Sequence, residues 1–199
     1  MWVAGRGELN GRLVVVSGPS GCGKTTVIDR ALGYPGMHDF ELSISATTRP
    51  ARPGERDGVD YRFLSEAEFG EAARRNEFLE TAEYNGFHYA TPARPVFDAL
   101  AAARSVVLEI EVKGALQIRR TAPSALFVFI RTPTFRMLEQ RLRQRGTETE
   151  STLHRRLCTA REELAEAHWY DVQLINDDLE RCVEEFVSAL RTSGSGCGG

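Results

Sequence analysis

The chain has 199 residues, 42% of them hydrophobic and 27% charged, which is the composition of an ordinary globular domain. Its formal net charge is −3. It therefore lacks the basic excess that is typical of nucleic-acid-binding proteins, and we expect no nucleic-acid partner. The longest apolar runs are about strand length, well short of the ~20 residues of a membrane helix, so we expect no membrane partner either.

The four cysteines and the N-terminal segment carry no sign of export. No two cysteines stand at C-x-x-C spacing, so neither a zinc ribbon nor a redox pair is indicated. Residues 1–10 contain no apolar stretch of the kind found in a signal peptide. We therefore expect a reduced, cytoplasmic protein.

Hydrophobic patterning predicts alternating strands and helices along most of the chain. In chain order, the predicted elements are a strand at 12–17, a helix at 25–32, strands at 41–45 and 61–64, a helix from 65, strands at 77–84 and 87–89, a helix at 91–103, a strand at 105–110, a helix at 114–120, a strand at 126–130, helices at 135–145 and 152–167, a strand at 172–175 and a helix at 179–190. This order predicts an α/β fold with a parallel sheet covered by helices.

Three local signals refine these elements. Ser65 followed by Glu68 predicts a capping box at the start of a helix. The Asn85-Gly86 pair predicts a tight hairpin between the flanking strands. Thr91 followed by Pro92 suggests an N-cap and the first residue of a helix.

The same pattern predicts a single domain, residues 11–191. Its core comprises residues 11–42 and 96–191, interrupted by a mixed α/β insertion at about 43–95. A second, mobile insertion is expected around the turn at Gly146, between the two helical segments. Residues 1–10 and 192–199 are predicted to be flexible tails.

Residues 18–25, GPSGCGKT, match the phosphate-binding pattern G-x-x-x-x-G-K-[ST], and they lie between a predicted strand and a helix. In such a loop the backbone N–H groups and the helix N-terminus face phosphate oxygens. The lysine reaches the β- and γ-phosphates, and the hydroxyl of Thr25 is placed to bind Mg²⁺. The predicted ATP-binding residues are Gly18, Pro19, Ser20, Gly21, Cys22, Gly23, Lys24, Thr25 and Thr26.

This loop does not by itself define the reaction, because GTPases, helicase motors and small-molecule kinases share it. The remaining length of the chain favours a small kinase. Further motifs are found at residues 43–55 (SISATTRPARPGE), 58–63 (GVDYRF), 76–80 (NEFLE), Tyr89, 108–111 (LEIE) and 145–150 (RGTETE). In their order and spacing these motifs resemble the guanylate kinase family of P-loop nucleoside monophosphate kinases, over about residues 13–190.

The resemblance implies that the chain uses ATP with Mg²⁺ to phosphorylate GMP and dGMP, and that the insertion binds GMP. It implies a clamp on the GMP phosphate formed by Arg49, Arg52, Tyr61 and Tyr89. It implies contacts to the guanine base from Ser45, Glu80 and Thr91. The chemistry is consistent, because arginine presents a forked set of donors to phosphate oxygens. A carboxylate can also accept from both N1 and the 2-amino group of guanine, which adenine cannot offer.

Two more acidic residues, Glu109 and Glu111, are expected to point the same way from one core strand toward the acceptor. They either bind GMP or influence Mg²⁺ through water, and the residues leave both roles open. The family most often has Asp where Glu111 stands. The resemblance also implies a short lid at about 141–156 that carries Arg141, Arg145 and Arg156. It implies that these lid arginines supply catalytic charge together with Lys24 and Arg49.

Two alternatives remain beside this interpretation. Guanylate-kinase-like modules that have lost catalysis bind phosphorylated partner proteins, but they characteristically lack the intact phosphate loop that this chain has. A nonspecific nucleoside monophosphate kinase would not need Glu80 with Ser45 and Arg49 at these spacings. The expected partners are the small molecules ATP and GMP, and a homodimer is left open.

Overall fold

The structure is a computed structural model that describes residues 11–144 and 150–192. Its strands are β1 (Leu13–Ser17), β2 (Phe40–Leu42), β3 (Ala46–Thr47), β4 (Arg62–Phe63), β5 (Phe78–Tyr84), β6 (Phe87–Pro92), β7 (Ser105–Glu109), β8 (Leu126–Arg131) and β9 (Val172–Ile175). Its helices are α1 (Lys24–Leu32), α2 (Glu66–Arg74), α3 (Ala93–Ala101), α4 (Val112–Thr121), α5 (Phe135–Gln144), α6 (Glu150–Ala165) and α7 (Leu179–Thr192), with a 3₁₀ turn at Glu166–Trp169.

The described residues form two compact units. The first unit consists of residues 11–13 and 40–125, and the second consists of residues 14–39, 126–144 and 150–192. The α/β class that the sequence predicts is confirmed, because parallel strands with helices packed on them occur in both units.

In the second unit, β8 lies between β1 and β9 and pairs with both in parallel. The strands are nearly continuous apolar runs, as expected where both faces of a parallel sheet are covered. Phe127 and Phe129 of β8 are fully buried. Helix α1 packs against α7, which contributes the buried Phe186 and Leu190 to the core. The loop between β1 and α1 therefore connects two elements that belong to the buried core of this unit.

In the first unit, β2 pairs in parallel with β7, and α3 packs on β7. A second sheet has the order β4-β3-β6-β5, so β5 is an edge strand. Its small core contains Ala46, Phe69, Phe78 and Ala90. The rings of Phe69 and Phe78 lie 4.9 Å apart between their centroids and join α2 to β5. Helix α4 packs against β5 and covers that edge.

The local signals have different outcomes. The capping box is confirmed, since the backbone N–H and side chain of Glu68 both bond to Ser65. The hairpin is confirmed, with Asn85 and Gly86 both at positive φ. The helix start at Thr91-Pro92 is wrong, because both residues belong to strand β6 and the helix begins at Ala93. The backbone N–H of Ala93 bonds to the carbonyl of Glu77, which fixes this end of the strand.

Among the helices that the structure describes, none combines the length and the apolar character that a membrane span requires.

Candidate active site

The phosphate loop joins β1 to α1 in the second unit, as predicted, and its shape depends on glycine. A Cβ atom on Gly18 would lie 2.0 Å from the carbonyl oxygen of Ile130, so only glycine fits there. Gly23 has φ 94°, in the left-handed region, and is the N-cap of α1. The loop therefore ends with its backbone leading directly into the positive N-terminus of a helix.

Lys24 is the first residue of α1, and its Nζ donates a 2.6 Å hydrogen bond to the carbonyl oxygen of Gly18. This contact places the ammonium group against the loop itself. Thr25 and Thr26 follow in the first turn, and both are exposed. The first turn of α1 contains no acidic residue, so nothing in that turn opposes the binding of an anion there.

Arg141 of α5 lies beside the loop. Its Nη1 donates a 3.3 Å hydrogen bond to the carbonyl oxygen of Cys22, and its Nη2 donates a 3.0 Å hydrogen bond to the carbonyl oxygen of Asn176. Arg156 of α6 reaches the same loop from another side and donates to the hydroxyl of Ser20. The structure thus brings two of the predicted lid arginines to the phosphate loop. The third, Arg145, lies outside the described residues.

Asn176 is a site residue that the sequence reasoning did not identify. It is buried, and its Nδ2 donates a 2.8 Å hydrogen bond to the carbonyl oxygen of Cys22. A Cβ atom on Gly23 would lie 2.4 Å from that Nδ2. Asn176 directly follows β9, and ligands of parallel sheets bind at the carboxyl ends of the strands. A polar residue at that position is the signal that would have found it.

A cavity of about 390 Å³ opens next to these groups in the second unit. Its lining consists of Gly21, Gly23, Thr26, Arg141, Gln144, Asn176 and Leu179. It therefore adjoins the phosphate loop and combines polar side chains with an apolar wall.

In the first unit, Arg49 is buried and its guanidinium is held by a carboxylate. Nη1 and Nη2 each donate a hydrogen bond to one oxygen of the Glu55 carboxylate, and both N···O distances are 2.9 Å. The backbone N–H of Arg52 donates to the same carboxylate over 2.7 Å. These bonds, chiefly those from Arg49, hold the pKa of Glu55 below its usual value. Glu55 thus fixes the orientation of Arg49 and the path of the loop at Arg52.

Two tyrosines lie beside Arg49. Its guanidinium carbon is 5.2 Å from the centroid of the Tyr61 ring, and the rings of Tyr61 and Tyr89 are 6.2 Å apart between centroids. Burial raises the pKa of Tyr61, and the nearby charge of Glu109 raises it further. The structure therefore groups Arg49, Tyr61, Tyr89 and Glu109. The side chain of Arg52 is exposed.

Glu80 is only 4% exposed and lies on β5, next to a one-residue shift in the pairing of β5 with β6. Thr91, on β6, donates its hydroxyl hydrogen to Oε1 of Glu80 over 2.8 Å. Burial raises the pKa of Glu80 to about 7, although the bonds from Thr91 oppose the shift. Ser45 precedes Ala46, which pairs with Ala90, so Ser45 lies at the same end of the sheet as Thr91.

Glu109 and Glu111 do not share a strand, contrary to the expectation. Strand β7 ends at Glu109, and Glu111 is the N-cap of α4. The buried Ile110 lies between them at the strand-to-helix change. The alternation argument therefore does not apply to Glu111. Its charge still acts on Glu80, whose pKa it helps to raise.

Comparison with known proteins gives a consistent result. The family model described as "Guanylate kinase" matches residues 10–193. A protein named guanylate kinase from Gloeobacter violaceus is 51% identical over 174 residues, covering 87% of this chain and 83% of the relative. One from Rubrobacter xylanophilus is 48% identical over 181 residues, covering 91% of this chain and 94% of the relative.

A solved structure supports the same assignment. The crystal structure of guanylate kinase from Anaplasma phagocytophilum superposes with a TM-score of 0.78 at 28% sequence identity. The match covers 94% of this chain and 88% of that one. With the phosphate loop in one unit and the Arg49 and Glu80 groups in the other, sequence and fold agree that this chain belongs to the guanylate kinase family.

Proposed function

We propose that this protein transfers the γ-phosphoryl group of ATP to GMP, and to dGMP, by in-line displacement. The observation that supports the proposal most directly is that one chain contains both a phosphate-binding loop and a buried carboxylate suited to a guanine base. One unit has an intact phosphate loop with Lys24 against it. The other has a buried carboxylate, Glu80, whose Oε1 is held by Thr91.

On the ATP side, the predicted loop residues 18–26 take the phosphates, with Lys24 neutralising charge on the β- and γ-phosphoryl oxygens. Arg141 and Arg156 already contact the loop at Cys22 and Ser20. Their guanidinium groups therefore lie next to the loop that would hold the phosphates, where negative charge develops during transfer. The same role is assigned to Arg145, which follows the last described residue of α5. The cavity beside Asn176 is where the nucleoside of ATP has room.

Mg²⁺ is expected to accompany ATP. The described residues contain no group of three or more His, Cys, Asp or Glu side chains able to hold a metal ion. Mg²⁺ does not need such a group, because it keeps several waters and binds mainly to substrate phosphates with one or two protein oxygens. The hydroxyl of Thr25, exposed in the first turn of α1 beside Lys24, fits that role. When bound, Mg²⁺ would neutralise negative charge on the phosphates of ATP.

On the GMP side, Arg49 with Tyr61 and Tyr89 forms the phosphate clamp, and Arg52 completes it from the exposed side. Arginine suits this task because its fork matches phosphate oxygens. Glu55 keeps the Arg49 fork in one orientation, so little conformational freedom is lost when a phosphate binds. Glu109, which acts on Tyr61, belongs to this group.

Base recognition is assigned to Glu80, Thr91 and Ser45. An ionised Glu80 accepts from N1–H and the 2-amino group of guanine, and adenine would leave the buried carboxylate without those donors. An unpaired buried polar group is costly, so a site built this way rejects the wrong base strongly. Glu111 lies close enough to influence Glu80, and its role in the proposal is to tune that carboxylate.

The chemical step needs no general base. A GMP phosphate oxygen is already ionised near neutral pH, and it attacks the γ-phosphorus as ADP leaves. Catalysis then consists of positioning and of charge stabilisation by Lys24 and the arginines. Residues 43–95 serve as the GMP-binding insertion and residues 141–156 as a lid. The proposed location is the cytoplasm.

An ADP-release assay with GMP, dGMP, AMP, CMP and UMP as acceptors tests the proposal. GMP and dGMP should be phosphorylated at least about a hundredfold better than AMP. Comparable turnover of AMP would favour a nonspecific nucleoside monophosphate kinase. Binding of GMP without any turnover would favour the inactive binding module, which the intact loop at Gly18 and Lys24 argues against.

A further inference from the structure

Helix α4 touches Glu80 at a glycine. Gly114, the third residue of α4, is buried, and a Cβ atom built on it would lie 2.2 Å from Oε2 of Glu80, 2.9 Å from Cδ and 3.4 Å from Cγ. The three nearest atoms all belong to this one side chain. No side chain can stand at Gly114 while the carboxylate keeps its place.

The backbone at Gly114 does not itself require glycine. Its φ does not lie in the left-handed region, and the residue is inside a helix. Alanine stabilises a helix relative to glycine at such a position. The space taken by Glu80 is therefore the feature that excludes a larger residue.

One turn further along α4, Gln117 fixes the backbone beside Glu80. Its Nε2 donates to the carbonyl oxygen of Thr81 over 2.7 Å, and its Oε1 accepts from the N–H of Thr81 over 3.2 Å. Thr81 follows Glu80 on the edge strand β5, where the pairing with β6 shifts by one residue. The amide of Gln117 thus bonds to this irregular strand as a neighbouring strand would.

Gly114 and Gln117 are three residues apart and so lie on the same face of α4. We propose that this face positions Glu80 for base recognition: Gly114 leaves room for its carboxylate, and Gln117 fixes the strand that carries it. The proposal rests on the proposed function, in which Glu80 binds guanine. Both residues act through Glu80 and are positioning residues. Correct placement matters because small displacements of a recognising group cost binding.

The decisive variant is Gly114→Ala, with Gly70→Ala as its matched control. Gly70 is also inside a helix, and a Cβ atom on it would meet nothing within 4 Å. Gly114→Ala should raise KM for GMP about tenfold or more and leave KM for ATP within about twofold. Gly70→Ala should leave both constants unchanged. A KM for GMP within about twofold of the unmodified protein in Gly114→Ala would overturn the proposal.

A double-mutant cycle separates positioning from a general structural defect. In a Glu80→Ala background, Gly114→Ala should cause no further rise in KM for GMP, because the group with which it clashes is gone. An equal rise in both backgrounds would overturn the proposal. Gln117→Met removes the amide at similar volume and should raise KM for GMP several-fold, again only when Glu80 is present. If Gly114→Ala does not fold, Gln117→Met gives the same test.

The same measurements distinguish this inference from the proposed function. If Glu80→Ala keeps a strong preference for GMP over AMP, Glu80 does not bind the base and the proposed base recognition fails. If Glu80→Ala loses that preference while Gly114→Ala and Gln117→Met keep it, base recognition stands and only the positioning role of α4 fails.

Discussion

Thr91 donates a 2.8 Å hydrogen bond to Glu80, and the carboxylate that accepts it is only 4% exposed. Burial deprives this carboxylate of water, and the hydrogen bonds from Thr91 compensate only in part, so its pKa rises to about 7. When Glu80 is ionised, its burial therefore destabilises the folded protein. Guanine, with two further donors, would relieve this destabilisation.

The first prediction concerns stability. The pKa of Glu80 rises from its usual 4.5 to about 7, so the folded protein holds a proton that the unfolded chain releases. The contribution of Glu80 to stability therefore falls as pH rises from about 4.5 to about 7. Glu80→Gln should raise the free energy of unfolding at pH 8 by up to about 3 kcal/mol.

Urea denaturation at two pH values measures this effect. Most of the gain should be gone at about pH 5, where the carboxyl is largely protonated in the folded protein. Glu83→Gln, an exposed change on the same strand, is the control and should show no such gain. A stabilisation by Glu80→Gln that is the same at both pH values would contradict the assigned pKa.

The second prediction concerns the pH dependence of GMP use. Because its pKa is about 7, Glu80 becomes protonated below that pH. It can then no longer accept hydrogen bonds from both N–H donors of guanine. KM for GMP should therefore rise as pH falls from 8 to 6, while KM for ATP changes little. The GMP phosphate also titrates near pH 6. In Glu80→Gln, any remaining change of KM for GMP with pH reflects titration of the GMP phosphate alone. If the pH profiles of KM for GMP are identical in Glu80→Gln and the unmodified protein, a role for Glu80 is refuted.

The third prediction concerns Lys24, whose Nζ lies against the phosphate loop. Lys24→Ala should lower kcat at least about a hundredfold, because charge on the transferring group loses its partner. GMP binding measured by calorimetry without ATP should persist, since the residues proposed to bind GMP belong to the other unit. Arg136→Ala, an exposed cation of α5, serves as the control. Loss of GMP binding in a folded Lys24→Ala protein would show that the two sites are not separable.

The fourth prediction concerns Asn176. Removing its side chain leaves the buried carbonyl of Cys22 without its 2.8 Å donor. The carbonyl keeps the longer, 3.3 Å bond from Arg141, so the loss costs about 1 kcal/mol and loosens the phosphate loop. Asn176→Ala should therefore raise KM for ATP about tenfold and leave KM for GMP unchanged. Steady-state kinetics with Gln140→Ala, an exposed position on α5, as control would test this, and an unchanged KM for ATP would argue against the role.

The phosphate loop could be predicted from the sequence because its determinants are local. Successive glycines, a lysine and a hydroxyl stand within residues 18–25, and the backbone torsions that they permit create the anion site directly. The hairpin at Asn85-Gly86 and the capping box at Ser65 were predictable for the same reason. The acceptor residues stay a prediction, which rests on the resemblance to the family at each of their positions.

Where prediction failed, a contact between distant residues decided the outcome. Thr91-Pro92 has the local chemistry of a helix start, but pairing with β5 extends the strand through both residues. The sequence pattern places Glu111 on a strand, but in the structure Glu111 is the N-cap of α4. Local propensity is worth a few tenths of a kcal/mol per residue, which strand pairing and packing readily exceed.

The sequence by itself determined the kind of protein and its phosphate chemistry, because torsional preference and side-chain type are properties of adjacent residues. The tertiary structure alone decided the environment of Glu80. Its hydrogen bond comes from Thr91 on another strand, its space from Gly114, and the fixed backbone beside it from Gln117. Burial and its effect on a pKa depend on which residues pack around a group, and only the folded chain brings those residues together.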